Sequence, residues 1–172
     1  MSSTKNNIIL DFNYTASTRL ILKQCGLSDE DIDNRLIKVH GEASNNDIIF
    51  GVEDNAGIKK EHVFLRKAYN IKYKALNFSE LYDRIKSVAI FGHSLGETDH
   101  TYFNKLFQES CMYNKFSTNN NKEFWLFYYK ENGYHCMMQQ LDSLTHNSLT
   151  SFRQYNRVNF INTDKELSLI HI

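Results

Sequence analysis

Short apolar runs separated by polar turns fill the first half of the chain. Three runs rich in β-branched residues predict strands: 7–12, 35–39 and 47–51. A helix is expected between the first two strands, from Ser17 or Thr18 to Cys25. Gly26 would close this helix, and the acidic segment 28–34 is expected to form a turn.

Helical spacing of apolar residues marks the middle of the chain. It extends over 61–76, and the segment 78–85 continues it after an expected cap at Asn77. In the second half, three further runs predict strands: 87–91, 123–129 and 158–162. Two segments predict helices: 101–109 and 136–144. The polar segments 113–122 and 130–133 predict a loop and a turn.

Strands that alternate with helices are typical of a parallel α/β sheet. We therefore expect a Rossmann-like, mostly parallel sheet flanked by helices, in a single domain over residues 1–172. Such sheets bind ligands at the carboxyl ends of their strands. No glycine precedes Gly26 and no G-x-G-x-x-G motif occurs, so the expected sheet lacks a glycine-rich phosphate loop.

Charge and cysteine content exclude several classes of function. Lys and Arg together number 20, as do Asp and Glu, so an excess of positive charge for nucleic acid or an acidic membrane is missing. No apolar run approaches the roughly 18 residues of a membrane span, and no leader is evident, so a cytoplasmic location is expected. Three widely spaced cysteines are expected to be buried free thiols, with no metal site: Cys25, Cys111 and Cys136.

The segment after the strand at 87–91 carries the most distinctive chemistry. Residues 92–96 match G-x-S-x-G, the nucleophile elbow of serine hydrolases. In a hydrolase, Ser94 would need an acid and a base from Asp142 or Asp164 and His171. The motif is followed by bulky polar residues where an elbow usually has small ones, so this hydrolase is the weaker hypothesis. The two histidines of the segment are expected to be exposed and not to bind a ligand: His93 and His100.

Four motifs follow one another along the chain: 12–15 (Phe-Asn-Tyr-Thr), 39–41 (Val-His-Gly), 48–51 (Ile-Ile-Phe-Gly) and 91–99 (Phe-Gly-His-Ser-Leu-Gly-Glu-Thr-Asp). In this order they resemble the bacterial abortive-infection family AbiH and, more distantly, sirtuin-like domains. Residues 160–162 (Phe-Ile-Asn) resemble the strand-Asn near the adenine end of such folds. The resemblance extends over about residues 8–164.

The sirtuin-like resemblance implies a site that binds or hydrolyses NAD. Cleavage of the glycosidic bond of NAD passes through an oxocarbenium-like centre, which requires a held ribose and a base. The resemblance assigns catalytic roles to two residues: His40 and Asn13. It assigns cofactor binding to five others: Gly92, Ser94, Leu95, Asp99 and Asn162. Carboxylates at Glu97 and Asp99 would repel a phosphate, which favours sugar hydroxyls at this turn.

Each of these side chains also has a structural role open to it. Asn13 could cap the following helix or stabilise a turn, and His40 could be a hydrogen-bonded turn histidine. Ser94 and Thr98 could be helix caps, and Asp99 could be a first-turn carboxylate. A non-enzymatic interaction module within a defence complex is therefore an alternative to the enzyme.

The front of the chain departs from the family pattern. Family members resemble each other in an initial strand with a Gly-Asn-Gly-Phe-Asp loop, and no segment here matches that loop. We therefore expect this chain to be the carboxyl-terminal portion of an AbiH-like protein, inactive alone and weak in NAD binding. An uncovered sheet edge would favour a homo-oligomer or docking to a separate amino-terminal half.

Overall fold

Every strand that the structure describes pairs in parallel with its neighbour. The computed structural model describes residues 7–52, 56–69, 84–112 and 121–164. The chain divides into two units, Met1–Ala75 and Leu76–Ile172, and each contributes a small parallel sheet. The predicted parallel α/β class is confirmed, although the described strands form two sheets where one was expected. The single domain over 1–172 stays a prediction.

The first unit contains a two-stranded sheet with two helices between its strands. Strand β1 is Ile9–Asp11 and pairs with β2, Leu36–Lys38, so that Asp11 lies opposite Lys38. Helix α1, Ser17–Gln24, confirms the predicted helix. Helix α2, Asp29–Asp33, lies within the segment that was expected to be a turn.

Capping explains why the prediction of a turn at 28–34 is wrong. The Ser28 hydroxyl accepts a hydrogen bond from the Asp31 backbone N–H at 3.1 Å, which satisfies one free donor of the first helical turn. Three carboxylates in that turn stabilise the helix by interacting with the positive end of its dipole: Asp29, Glu30 and Asp31. Ile32 is 0% exposed and anchors the helix to the unit.

The predicted strand at 47–51 does not form: within it the N–H of Ile49 donates to the carbonyl of His40, and parallel pairing in this described part of the chain is limited to a single bridge between Val52 and Arg66. The N–H of Val52 donates to the carbonyl of Leu65, and the N–H of Lys67 donates to the carbonyl of Val52, both at 2.9 Å. The same exchange limits the helix expected over 61–76. In its described part the chain forms two 3₁₀ turns instead: Lys60–Leu65 and Lys67–Tyr69. Residues 70–76, Asn77 and most of the segment 78–85 lie outside the described residues.

The second unit contains a three-stranded sheet in the order β3-β4-β5. Its strands confirm three sequence predictions: β3 (Ser87–Ile90), β4 (Glu123–Tyr128) and β5 (Arg157–Asn162). Its helices are α3 (His100–Ser110), α4 (Lys130–Leu144) and α5 (Leu149–Tyr155). Helices α3 and α4 confirm the helices that were expected at 101–109 and 136–144, whereas no sequence pattern predicted α5.

The turn expected at 130–133 is wrong, since helix α4 already begins at Lys130. Tyr134 accounts for the early start, because its ring packs 5.2 Å from the ring of Tyr128 and 5.5 Å from that of Phe160. This packing onto the sheet outweighs the low helix propensity of Gly133. The loop expected at 113–122 lies outside the described residues except for Asn121 and Lys122.

Three phenylalanines form the centre of the second unit. Phe107 of α3, Phe124 of β4 and Phe152 of α5 are each 0% exposed. Their ring centroids lie 5.6, 5.5 and 4.8 Å apart, within the range of favourable aromatic pairs. The aromatic run of β4 is therefore a core strand, as its composition indicated. Among the described residues, no helix has the length and apolar character to cross a membrane.

The prediction that the cysteines are buried is wrong for two of the three free thiols. Cys25 and Cys136 are exposed, at the end of α1 and on the outer face of α4. Cys111 is half-buried, and burial raises the pKa of its thiol.

We expect Phe152→Ala to lower the free energy of unfolding of the second unit by about 3–5 kcal/mol, because it leaves a cavity between two buried rings. Phe91 is a matched control, since it is 65% exposed and touches a single ring, that of Phe127 at 5.5 Å, in the described contacts. Phe91→Ala should cost about 1 kcal/mol or less. Urea unfolding followed by circular dichroism measures both values, and equal losses would contradict the assignment of the core.

Candidate functional site

The two residues that were assigned catalytic roles follow neighbouring strands of the first unit. Asn13 lies two residues beyond the end of β1, and His40 lies two residues beyond the end of β2. Parallel strands bring their carboxyl ends to one edge of a sheet. A further backbone hydrogen bond, from the N–H of Val39 to the carbonyl of Asp11 at 2.9 Å, continues the pairing to this edge.

An ion pair between the buried Asp11 and the half-buried Lys38 fixes the backbone around Asn13. Asp11 is 4% exposed, and its carboxylate accepts a hydrogen bond from the ammonium of Lys38 at 2.8 Å. The same ammonium donates to the carbonyl oxygens of Asn13 at 2.5 Å and Thr15 at 2.7 Å. The other Asp11 oxygen accepts from the Asn13 N–H at 2.9 Å. Both backbone polar groups of Asn13 are thus held from within the unit, while its side chain is exposed.

Asn13 is therefore not the cap of the following helix. Helix α1 begins at Ser17, and Ala16 occupies its cap position without a side-chain hydrogen bond. This leaves the Asn13 amide, with its two donors and its acceptor, at the carboxyl edge of the sheet.

Opposing effects act on the pKa of Asp11. Burial on its own would raise this pKa, but hydrogen bonds from Lys38, the Asn13 N–H and Thr18 outweigh burial and hold the pKa below its ordinary value of 3.8. Asp11 is therefore a carboxylate at neutral pH, as its ion pair with Lys38 requires.

His40 is packed among aromatic rings. It is 5% exposed, its ring meets the edge of Phe12 at 5.4 Å and it stacks on Tyr14 at 5.9 Å. Its carbonyl accepts from the N–H of Ile49 at 2.9 Å. A general base must touch the group that it deprotonates, so catalysis by His40 requires a neighbouring ring to move aside.

Gly41 makes the tight turn after His40 possible. Its φ is +74°, and a Cβ at this position would lie 2.1 Å from the backbone oxygen of Asp47. No other residue fits there without displacing backbone. Asp47 also accepts a hydrogen bond from the N–H of Glu42 at 2.6 Å, which closes the turn from the other side.

In the second unit, the turn after β3 is built around Leu95. Leu95 is 0% exposed and has a left-handed φ of +55°. Its N–H donates to Nδ1 of His93 at 2.9 Å, and Nε2 of His100 lies 3.0 Å from its carbonyl oxygen. The expectation that His93 and His100 are exposed is wrong, because these two side chains satisfy the backbone of the buried Leu95. Nε2 of His100 also lies 2.9 Å from the side-chain oxygen of Gln140.

Asp99 and Ser94 occupy different environments in this turn. Asp99 Oδ2 lies 3.4 Å from Nε2 of His93, and its side chain is 15% exposed. It occupies the cap position of α3 without a side-chain capping hydrogen bond. Ser94 is exposed, and a Cβ on Gly92 would have no heavy atom within 4 Å. The surface of this turn is therefore open at Gly92 and Ser94.

Asn162 ends β5 at the same edge of the three-stranded sheet that carries the turn after β3. The two are separated by β4, which corresponds to about 10 Å between β3 and β5. The Asn162 side-chain oxygen accepts from the N–H of Asp164 at 3.0 Å. A cavity of about 330 Å³ opens here, with these lining residues: Tyr128, Lys130, Glu131, Tyr134, Asn162 and Asp164. Sequence patterns pointed to two of them: Asn162 for cofactor binding and Asp164 as an acid of the weaker hydrolase hypothesis.

The predicted site residues thus fall into two groups, one in each unit. Asn13 and His40 belong to the first unit, and the residues assigned to cofactor binding belong to the second. Their assembly into one site stays a prediction. In the described part of the chain, no cluster of three His, Cys, Asp or Glu side chains could hold a metal ion.

In a nucleophile elbow the serine itself lies at the strained position of the turn, and the turn at 92–96 differs from this. Its left-handed residues are Gly92 and Leu95, which flank Ser94. Nδ1 of His93 already accepts the N–H of Leu95 and so cannot accept the Ser94 proton in this conformation. His171 lies outside the described residues.

We expect a fluorophosphonate probe to leave Ser94 unmodified, because an acylating serine needs an adjacent base. Mass spectrometry of the treated chain measures the labelling, with Ser143→Ala as a control for an exposed serine in helix α4. Labelling that Ser94→Ala abolishes and Ser143→Ala retains would revive the hydrolase.

We expect Asp11→Asn to lower the free energy of unfolding by about 1.5–3 kcal/mol at neutral pH, the range for hydrogen bonds to charged groups. Folding lowers the pKa of Asp11, so the stabilisation is complete above its ordinary value of 3.8 and is lost as pH falls through the lower folded value. The difference between wild type and variant should therefore shrink in this acid range.

Urea unfolding at neutral pH and below pH 3.8 measures the change. Asp142→Asn, in an exposed position of α4, is the control and should stay within about 0.5 kcal/mol of wild type. A difference between wild type and Asp11→Asn that stays constant with pH would contradict the ion pair.

The chain was compared with known families, curated proteins and solved structures. The family model described as bacteriophage abortive infection AbiH matches residues 1–129. No curated protein and no solved structure matches the chain. The matched region includes the motifs at 12–15, 39–41, 48–51 and 91–99, so the resemblance predicted from them is confirmed, and its sirtuin-like part stays a prediction. The chain therefore belongs to the bacteriophage abortive infection AbiH family.

Proposed function

We propose that this abortive-infection protein contains part of an NAD site, and that the complete protein cleaves NAD when a phage infects the cell. Loss of NAD would stop the metabolism on which phage replication depends. The proposal places the protein in the cytoplasm, where NAD and replicating phage DNA meet. The absence of a membrane-crossing helix among the described residues is compatible with this location.

The single observation that carries the proposal is that Asn13 combines a fixed backbone with an exposed amide side chain. Its backbone is held on both sides by the ion pair of Asp11 and Lys38, and its amide is exposed at the carboxyl edge of a parallel sheet. A side chain on a fixed backbone loses little entropy when it binds, which is the requirement for orienting a sugar. An amide can both donate to and accept from ribose hydroxyls.

His40 supplies the proposed base. An imidazole changes charge near neutral pH and can take a proton from a ribose hydroxyl or from water. In the proposed reaction the bond between nicotinamide and ribose breaks, water adds to the ribose carbon and its proton passes to His40. The ring must become accessible for this step, and Tyr14, which is 37% exposed, is the neighbouring ring at the surface.

The turn in the second unit is proposed to hold sugar hydroxyls. Ser94 is exposed, Gly92 leaves space for a ligand, and the buried Leu95 fixes the turn. Glu97 and Asp99 form a 3₁₀ turn directly before helix α3 and oppose a phosphate at that helix start. Asn162 and the cavity beside it are proposed to take the adenosine end of the dinucleotide.

One observation favours an interaction module as the second candidate. Helix α1 has no buried residue, and Leu20 and Ile21 on it are 59% and 58% exposed. Adjacent exposed aliphatic residues on one helix are typical of a surface that another protein covers. A second copy of the chain or a separate amino-terminal half would be the partner of such a module.

The NAD proposal is tested in infected cells that express the protein as its gene encodes it. Asn13→Ala and His40→Gln should each abolish the loss of NAD, since each removes a group that acts on the ribose. His40→Gln is preferred to alanine because His40 is buried and its truncation would leave a cavity. Asn132→Ala, an exposed asparagine of helix α4, is the matched control and should leave NAD consumption intact.

Circular dichroism and expression level confirm that each variant folds. NAD levels that fall equally fast in wild type and both variants would exclude this mechanism. Phage protection that persists in both variants without NAD loss would favour the interaction module.

A further inference from the structure

A row of aromatic rings runs from the interior of the first unit to its surface. The buried His40 stacks on Tyr14 at 5.9 Å, with an angle of 28° between the rings. Tyr14 in turn packs against Phe50 at 5.4 Å, with an angle of 34°. Exposure rises along the row, from 5% at His40 to 37% at Tyr14 and 71% at Phe50. The row ends in an aromatic surface, which we call the Tyr14–Phe50 face.

The backbone fixes this face on both sides. The carbonyl of Tyr14 accepts from the N–H of Ala43 at 2.8 Å. On either side of Phe50, the N–H of Ile49 donates to the carbonyl of His40 and the N–H of Val52 donates to the carbonyl of Leu65, both at 2.9 Å.

Gly51 tightens the same segment, because a Cβ there would lie 2.4 Å from the Leu65 oxygen. The exposed ring of Phe50 is therefore attached to an immobilised backbone. A single exposed aromatic residue needs no explanation, but one that is held in place and stacked on a second ring does.

The chemistry of the face fits a planar heterocycle. Two adjoining rings offer about the area of one nucleobase, too little for a stable protein interface of roughly 800 Å² per partner. The exposed amide of Asn13 is next to Tyr14 in the chain and can meet the polar edge of a heterocycle. An apolar face next to an amide therefore favours a base over an aliphatic ligand.

We infer that the Tyr14–Phe50 face stacks on a nitrogen heterocycle of the bound nucleotide. This inference rests on the proposed function and extends it to two aromatic residues that lie in the motifs at 12–15 and 48–51 and had no role assigned to them. The nicotinamide ring is the expected heterocycle, because the adenosine end is proposed to lie at Asn162; adenine has the same flat π-face, and titration with each mononucleotide separates the two. A ligand at this face lies against Tyr14, which precedes Thr15 and follows Asn13 in the chain.

The test is an NMR titration of the full chain, labelled on its Tyr and Phe rings, with nicotinamide mononucleotide and with AMP separately. One of the two should shift the ring resonances of Tyr14 and Phe50, and the mononucleotide that does so identifies the heterocycle. Phe50→Leu should weaken that binding about tenfold, the effect of losing one stacking contact. Phe50→Tyr keeps a ring and should bind within about threefold of wild type.

Phe64→Leu is the matched control, because Phe64 is 65% exposed and belongs to the same unit. It should leave the titration unchanged. Binding that survives Phe50→Leu, or the absence of shifts with both mononucleotides, would overturn the inference. Broadening of the same resonances with protein concentration alone, lost in Phe50→Leu, would mean that a second copy covers the face and would also overturn it. The infected-cell assay with Asn13→Ala judges the proposed function independently of these outcomes.

Discussion

The ion pair between Asp11 and Lys38 is the interaction on which the proposed site of the first unit depends. The two residues lie opposite each other at the ends of paired strands, so the pair closes the sheet where the chain leaves it. Without the Asp11 carboxylate, the ammonium of Lys38 would keep its two carbonyl acceptors and Glu42 at 3.8 Å, so the expected loss is about 1.5–3 kcal/mol, the value of a charged hydrogen bond. Lys38 directs its two further hydrogen bonds to carbonyls of the loop that carries Asn13 and Tyr14. The charge that stabilises the strand ends therefore also positions the groups that face solvent.

In the second unit, imidazole side chains hold the backbone of the corresponding turn. After β3 the chain reverses through two left-handed residues, Gly92 and Leu95, and buries the Leu95 side chain. A buried backbone at such a turn needs partners, and His93 and His100 provide them. These histidines are structural in this conformation, which leaves Ser94 and Gly92 as the exposed part of the turn. A rigid turn with a small open surface suits contact with a sugar better than catalysis by its own side chains.

Sequence patterns predicted the parts of the fold that local chemistry determines. The runs at 87–91 and 123–129 are β-prone and apolar, and both form strands: β4 lies in the core, and β3 is an outer strand beside it. The predictions for 47–51 and 61–76 failed because Ile49 bonds to His40 and Val52 bonds to Leu65 and Lys67, and propensity does not register such partners distant in sequence. His93 and His100 were misjudged for a similar reason: they contact the backbone of the buried Leu95, whose positive φ no apolar pattern reveals. The motif at 12–15 pointed to Asn13 and the motif at 48–51 contains Phe50, but the contacts of Lys38 and the exposure of Phe50 needed three-dimensional information.

At the described edges of the two sheets, the exposed groups suit a sugar and a base, whereas few positive charges are available for a phosphate. Lys38 is neutralised by Asp11, and it also lies 3.8 Å from Glu42. In the second unit Glu97 and Asp99 precede helix α3, and the cavity beside Asn162 contains two carboxylates for its one lysine. A dinucleotide carries its charge on the diphosphate, and anion sites usually meet such charge with backbone N–H groups at a helix start. Strong NAD binding therefore requires cationic or N–H groups beyond those that the described residues present at these edges.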